Sequence, residues 1–287
     1  VSLPSPAPTP GWYPDPWAGD GLRYWDGSQW TRHAARSAAP TQTPTQTPTQ
    51  TPPLSTLPVV AAVGALVAVG VPIVASRFLL QAIAGLGWPI AVYVAIAGLV
   101  GYGPAIVWCR YASRRWGTGS LRADVGLASR WSDAGWGPVT WIACVIAQIT
   151  VGVVVTVVGI PFEGNTEGVG ELRTDRGYVL SLLVLAVVAA PIVEEIVFRG
   201  VVLRGLLSRW GPVTAIAVQA ALFGAAHVDP IRGAGNIGLT LVLAAVGGVL
   251  GGAAYLFRRL APTMVAHAIL NAVALTLVLT GWLDSVR

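Results

Sequence analysis

Residues 177–203 read GYVLSLLVLAVVAAPIVEEIVFRGVVL. The stretch carries no charge from Gly177 to Val193 and then presents Glu194, Glu195 and Arg199. A helix rises about 1.5 Å per residue, so about 20 apolar residues cross a bilayer core. The stretch is long enough to do so. Ionisable side chains inside such a helix cost roughly 2.5 kcal/mol or more each, so they mark a functional site or a built-in pair. One segment therefore sets two expectations: a membrane helix, and polar chemistry within it.

Six further apolar segments surround it, at roughly 57–76, 84–109, 138–160, 212–228, 236–257 and 260–282. With 177–203 they predict an all-α, polytopic membrane helix bundle of about seven transmembrane helices. The segment at 212–228 is short, as suits a helix flanked by protein. Gly247-Gly248 and Gly251-Gly252 give the small-residue spacing of close helix contacts. Composition agrees. The chain is 54% hydrophobic and 11% charged, with mean hydropathy +0.65, whereas soluble domains carry about 25% charged residues.

The net charge of +5 is carried by Arg alone, since Lys is absent. These residues lie in short loops, which fits topology determinants and excludes a nucleic-acid face. With the N-terminus inside, thirteen Arg fall in inside regions and five outside, namely Arg77, Arg173, Arg176, Arg232 and Arg287. The 161–177 loop also carries Glu163, Glu167, Glu171 and Asp175. The N-terminus is thus expected in the cytoplasm and, with seven spans, the C-terminus outside. An eighth segment would reverse the latter. The Pro-rich start at Val1 lacks a charged region followed by an apolar one, so the first apolar segment is expected to serve as insertion signal. Cys109 and Cys144 form neither a C-x-x-C pair nor a disulfide framework.

Ahead of the helices, residues 1–36 crowd Trp12, Tyr13, Trp17, Tyr24, Trp25 and Trp30 together. Asp26-Gly27 predicts a hairpin turn. The pattern predicts a small aromatic-rich, β-like module, suited to a structural role or to docking a cytoplasmic partner. Gly11-Trp12-Tyr13-Pro14-Asp15-Pro16, Arg23-Tyr24-Trp25-Asp26-Gly27 and Trp30-Thr31 resemble a short Trp-rich domain of unknown function, found ahead of membrane domains in actinobacterial proteins. Residues 37–56 repeat a Thr/Gln/Pro unit, the composition of an extended, solvated linker. The membrane domain is assigned to 57–287.

Three places in the helices carry polar chemistry. Glu195 and Arg199, four apart, share a helix face and suit an ion pair. Glu194 points about 100° away and is left without that partner. Phe223 and His227 are four apart, as are His267 and Asn271. A lone His can be a packing hydrogen-bonder, and His267 with Asn271 can be helix glue. Trp210-Gly211-Pro212 signals a turn. Glu194 lies 16 residues before Trp210 and His227 lies 16 after Gly211. An antiparallel hairpin sets both at one depth, about 24 Å from the turn. His267 is six residues past the turn near Leu260-Ala261. If residues 199–209 extend beyond the membrane, all three meet near the cytoplasmic face.

Glu194-Glu195-x-x-x-Arg199, Phe223-x-x-x-His227 and His267-x-x-x-Asn271, in that order, resemble the three motifs of the CAAX prenyl protease and bacteriocin-processing (CPBP, Abi) family of intramembrane proteases. The resemblance spans roughly residues 138–282. It implies a peptidase with a cavity among its helices, in the bacterial plasma membrane. It implies that Glu194 and His227 activate the attacking water, that Arg199 holds Glu195, and that His267 and Asn271 stabilise the oxyanion. No cofactor is firmly implied. Zinc on Glu194, His227 and His267 is one alternative and a metal-free glutamate mechanism the other, because H-E-x-x-H is absent. Substrates would be a prenylated CAAX protein, a bacteriocin-like peptide or a membrane protein's terminus. The competing reading is a non-catalytic scaffold, immunity protein or transporter on the same fold.

Overall fold

A computed structural model describes residues 8–17, 21–36, 57–164, 166, 169–229 and 232–282. The linker at 37–56, Glu167 and Arg287 lie outside the described residues. The chain divides into two compact units, Val1–Pro53 and Leu54–Arg287.

The first unit is a three-stranded antiparallel sheet in the order β1-β2-β3, with β1 Gly11–Pro14, β2 Gly21–Trp25 and β3 Trp30–Arg36. Asp26–Gln29 makes the expected turn, two residues longer than Asp26-Gly27 alone. Asp26 Oδ1 accepts the N–H groups of Ser28 and Gln29, each at 2.7 Å. These bonds hold the Asp26 carboxyl below its usual value. Gly27 takes φ 100°, a conformation open to glycine. Trp25 pairs with Trp30 across the turn, with ring centroids 5.2 Å apart. Arg23 lies over the Trp17 ring at 5.0 Å and pairs with Asp15 at 3.0 Å. Aromatic contacts thus supply what so short a sheet cannot bury.

The second unit is helical: α1 Val59–Ile83, α2 Ile90–Trp116, α3 Leu121–Val125, α4 Asp133–Val158, α5 Arg176–Leu207, α6 Pro212–Ala225, α7 Gly235–Phe257 and α8 Ala261–Leu279. Among the described residues, six helices are long and apolar enough to cross a membrane, and α6 is a shorter apolar helix. The chain is a multi-pass membrane protein. At 14 residues, α6 reaches about 21 Å, short of a bilayer core. It buries one face through Gln219, Ala220, Phe223 and Gly224 and leaves Val213 exposed.

α6 packs on α7 through small residues. A Cβ on Gly224 would stand 2.3 Å from Thr240 O, and one on Gly247 3.1 Å from Phe223 Cδ1. Gly251 faces Gln219 in the same way, so Gly247 and Gly251 make the tight approaches to α6, with Gly248 in ordinary contact with Ala220. The level of the α7–α8 turn is set by Leu260, whose N–H donates to Gly126 O at 3.0 Å and whose side chain lies beside Gly200. α5 continues past this level to Leu207. That extension is not solvated: Val201, Val202, Leu203 and Leu206 are buried with Leu57, Ala61 and Ala62 of the α1 end and Val125 of α3.

Candidate active site

α5 is not one regular helix. It runs as α-helix from Arg176 to Leu183, as π-helix over Val184–Ala189, as a single α turn over Ala190–Glu194, and as π-helix again over Glu195–Val202. Wide turns of this kind cluster at functional sites. Pro191 explains part of the first. Ala190 N–H bonds Leu185 O, five residues back. The next bond in that pattern would run from residue 191 to Ala186 O, and proline has no N–H to give. Asn271 Nδ2, from α8, donates to Ala186 O at 2.7 Å instead.

The widened helix aims its two glutamates apart. Glu195 is fully buried and its Oε1 accepts twice. Arg199 Nη1 donates at 2.9 Å, and the ring of His267 meets it through Nδ1 at 3.1 Å. Arg199 lies over the Phe223 ring at 4.2 Å and donates from Nη2 to Gly247 O at 3.4 Å. Burial of a charge pair demands such partners. Glu195 and Arg199 thereby tie α5 to α6, α7 and α8.

Glu194 faces a different set. Tyr102, from α2, donates its hydroxyl to Glu194 Oε1 at 2.8 Å. Glu194 Oε2 is buried and has no hydrogen-bond partner among the described residues. Two imidazole nitrogens converge on it: His267 Nε2 at 3.8 Å and His227 Nε2 at 3.9 Å. His227 Nδ1 lies 2.8 Å from Phe223 O. A carbonyl only accepts, so a proton sits on Nδ1, and Nε2 is the nitrogen turned toward Glu194. The His227 side chain keeps 25% exposure and that of Glu194 13%, so the group is not sealed.

A water about 2.8 Å from each of two such atoms spans the observed gaps. Donors on one tetrahedral zinc stand closer, about 3.4 Å apart. Among the described residues no group of three or more His, Cys, Asp or Glu is arranged to hold a metal ion. The Glu194–His227–His267 set thus fits a shared water better than the zinc geometry.

Beside the site runs a groove of about 770 Å³ between α2 and α5. Ala91, Ala95 and Gly98 line it on α2, Leu180, Val184 and Leu185 on α5, and it reaches Tyr102 and Val193, next to Glu194.

The structure therefore brings Glu194, Glu195, Arg199, His227 and His267 into one cluster. Asn271 is set apart: its side chain donates to Ala186 O, two turns before Glu194. Tyr102 is the participant that sequence reasoning passed over. Its signal was a phenol in mid-span, between Gly101 and Gly103, away from the interfacial belts where Tyr usually sits. A buried hydroxyl there needs an acceptor.

Comparison with known proteins gives two family matches. Residues 176–273 match the type II CAAX prenyl endopeptidase, Rce1-like family, and residues 10–49 match a family of proteins of unknown function, DUF2510. The chain carries an Rce1-like CAAX prenyl endopeptidase domain behind an N-terminal DUF2510 domain. The first match covers α5 to α8 with Glu194, Glu195, Arg199, His227, His267 and Asn271, and is narrower than the 138–282 span expected. No curated protein and no solved structure matches the chain.

Proposed function

We propose that this protein is an intramembrane endopeptidase in which Glu194 is the general base. The observation that carries the reading is the approach of His227 Nε2 and His267 Nε2 to one oxygen of Glu194, at 3.9 and 3.8 Å. A water held there donates one hydrogen bond to Glu194 Oε2 and the other to His227 Nε2. Glu194 takes its proton as the water oxygen bonds to the scissile carbonyl carbon. The carbonyl oxygen becomes an oxyanion. The C–N bond then breaks, and the proton on Glu194 passes to the leaving amine. A carboxylate so placed acts first as base and then as acid.

The other residues serve this pair. Tyr102 occupies Glu194 Oε1 and leaves Oε2 for the water. Arg199 neutralises Glu195, and Glu195 orients His267 through Nδ1. His267 is assigned to the developing oxyanion, while Asn271, bonded to Ala186 O, holds α8 against α5. Family membership of the 176–273 domain supports a peptidase acting on protein or peptide substrates within the bilayer. The α2–α5 groove gives an apolar segment of such a substrate a lateral way in. The Arg distribution supports an N-terminus in the cytoplasm, and the resemblance of the N-terminal module to domains of actinobacterial proteins supports a bacterial plasma membrane. His267 lies six residues into α8, about 9 Å from the turn that this topology puts on the cytoplasmic side.

The substrate class is open to a direct test. Membrane peptides from cells expressing the wild type and Glu194→Gln protein are compared by mass spectrometry. New termini that depend on Glu194 support the reading. Identical terminal peptides in both would leave the scaffold, immunity or transporter reading in its place.

A further inference from the structure

His227 lies just beyond α6, so α6 alone does not fix it. Phe223 O holds Nδ1 from the preceding turn. The backbone just beyond His227 is held from three directions. Asp229, two residues on, receives both arms of Arg77 of α1, Nη1 to Oδ1 at 3.1 Å and Nη2 to Oδ2 at 3.0 Å. Arg232 adds a contact to Oδ2 at 3.7 Å. Asn236, at the start of α7 and only 9% exposed, grips the backbone. Its Oδ1 accepts Asp229 N–H at 2.8 Å, and its Nδ2 donates to Asp229 O at 2.6 Å and to Gly233 O at 3.0 Å.

One side chain thus satisfies both backbone polar groups of Asp229, and a bidentate ion pair fixes its carboxylate. Arg77 and Asp229 are 152 residues apart in sequence, so this is not a local turn. Guanidinium–carboxylate forks of this kind define orientation as well as attraction. The constraint falls two residues from an imidazole whose distance to Glu194 decides whether one water can touch both.

We propose that Arg77, Asp229 and Asn236 form a latch that positions His227 against Glu194. They are positioning residues, acting through the backbone that carries the ring. The proposal rests on the reading of His227 as the partner of Glu194. A misplacement of about 1 Å near reacting atoms costs about a hundredfold in rate. Loss of the latch therefore lowers kcat and leaves KM nearly unchanged.

The test uses the full chain in detergent micelles, with its three histidines labelled with ¹³C and ¹⁵N. His33→Gln and His267→Gln proteins assign the His227 signal. Arg77→Gln, Asp229→Asn and Asn236→Ala are compared with the conservative Arg77→Lys and Asp229→Glu, each with a thermal melt and cleavage kinetics. The expected result is a His227 signal that shifts away from the Nδ1–H tautomer in the first three variants. With it, kcat falls about tenfold to a hundredfold at near-constant KM, with partial recovery in Asp229→Glu. An unchanged His227 signal in the folded fraction of Asp229→Asn and Asn236→Ala overturns the latch, as does activity that falls only with the folded fraction. If the wild type cleaves nothing while the His227 signal shifts as described, the peptidase reading fails and the latch stands.

Discussion

The Tyr102 hydroxyl donates to Glu194 Oε1 at 2.8 Å, from a helix outside the matched endopeptidase domain. This bond leaves the other carboxylate oxygen to face the two histidines. A hydrogen bond to a charged group contributes about 1.5–3 kcal/mol. Tyr102→Phe leaves Glu194 Oε1 without that donor, so it is expected to lower the melting temperature modestly and kcat about ten- to a hundredfold. Steady-state cleavage kinetics check it. Wild-type kcat in Tyr102→Phe would remove α2 from the site.

Glu195 and Arg199 form a second, separable relationship. Both side chains are fully buried, so removing one leaves the other charged without its partner. Arg199→Met is expected to destabilise the helical unit by about 3–5 kcal/mol. The double variant Glu195→Leu with Arg199→Met removes both charges and is expected to lose less. Thermal unfolding in detergent, read for both, tests the order. Equal stability of the single variant and the wild type would contradict the pairing.

The α6–α7 contact depends on missing side chains. Gly224→Val puts atoms where Thr240 O already lies, 2.3 Å from the first added carbon. Overpacking of this kind costs about 1–3 kcal/mol, and backbone cannot swing aside as a side chain does. The expected readout is a lower melting temperature with loss of cleavage. Gly252→Ala, with open space around it, is expected to melt as the wild type does.

The N-terminal sheet carries a pH signature at Asp26. Its carboxyl is held below the ordinary value of 3.8 by the Gln29 and Ser28 bonds. The charged form is thus favoured in the folded turn. The stability it contributes is present above pH 3.8 and is lost as pH falls through the folded value. NMR signals of Trp30 in the full chain, followed downward from neutral pH, are expected to hold until the pH falls below 3.8 and to weaken beneath it. Asp26→Asn is expected to lose sheet population already at neutral pH.

The helices were legible because the bilayer imposes a long apolar run that few other structures need. Glu195 with Arg199 was legible because a four-residue spacing puts two charges on one face. The separate environment of Glu194 followed from its 100° offset. Other features were not. The π stretches of α5 have no composition of their own, although Pro191 sits where one begins to matter. Tyr102 joins the site by tertiary packing of α2, which no local period reports. The bond from Asn271 to Ala186 O answers a missing N–H 80 residues earlier, at Pro191. The extension at 203–207 was legible as helix but not as buried, since its cover comes from α1 and α3.

The central claim is that Glu194 is the base. Purified protein in proteoliposomes, incubated with a panel of prenylated C-terminal peptides and apolar membrane peptides, tests it by single-turnover cleavage. The account predicts a cleavable peptide in the panel for the wild type. For Glu194→Gln it predicts a rate lower by about a thousandfold, at unchanged melting temperature. Cleavage by Glu194→Gln at the wild-type rate would contradict it.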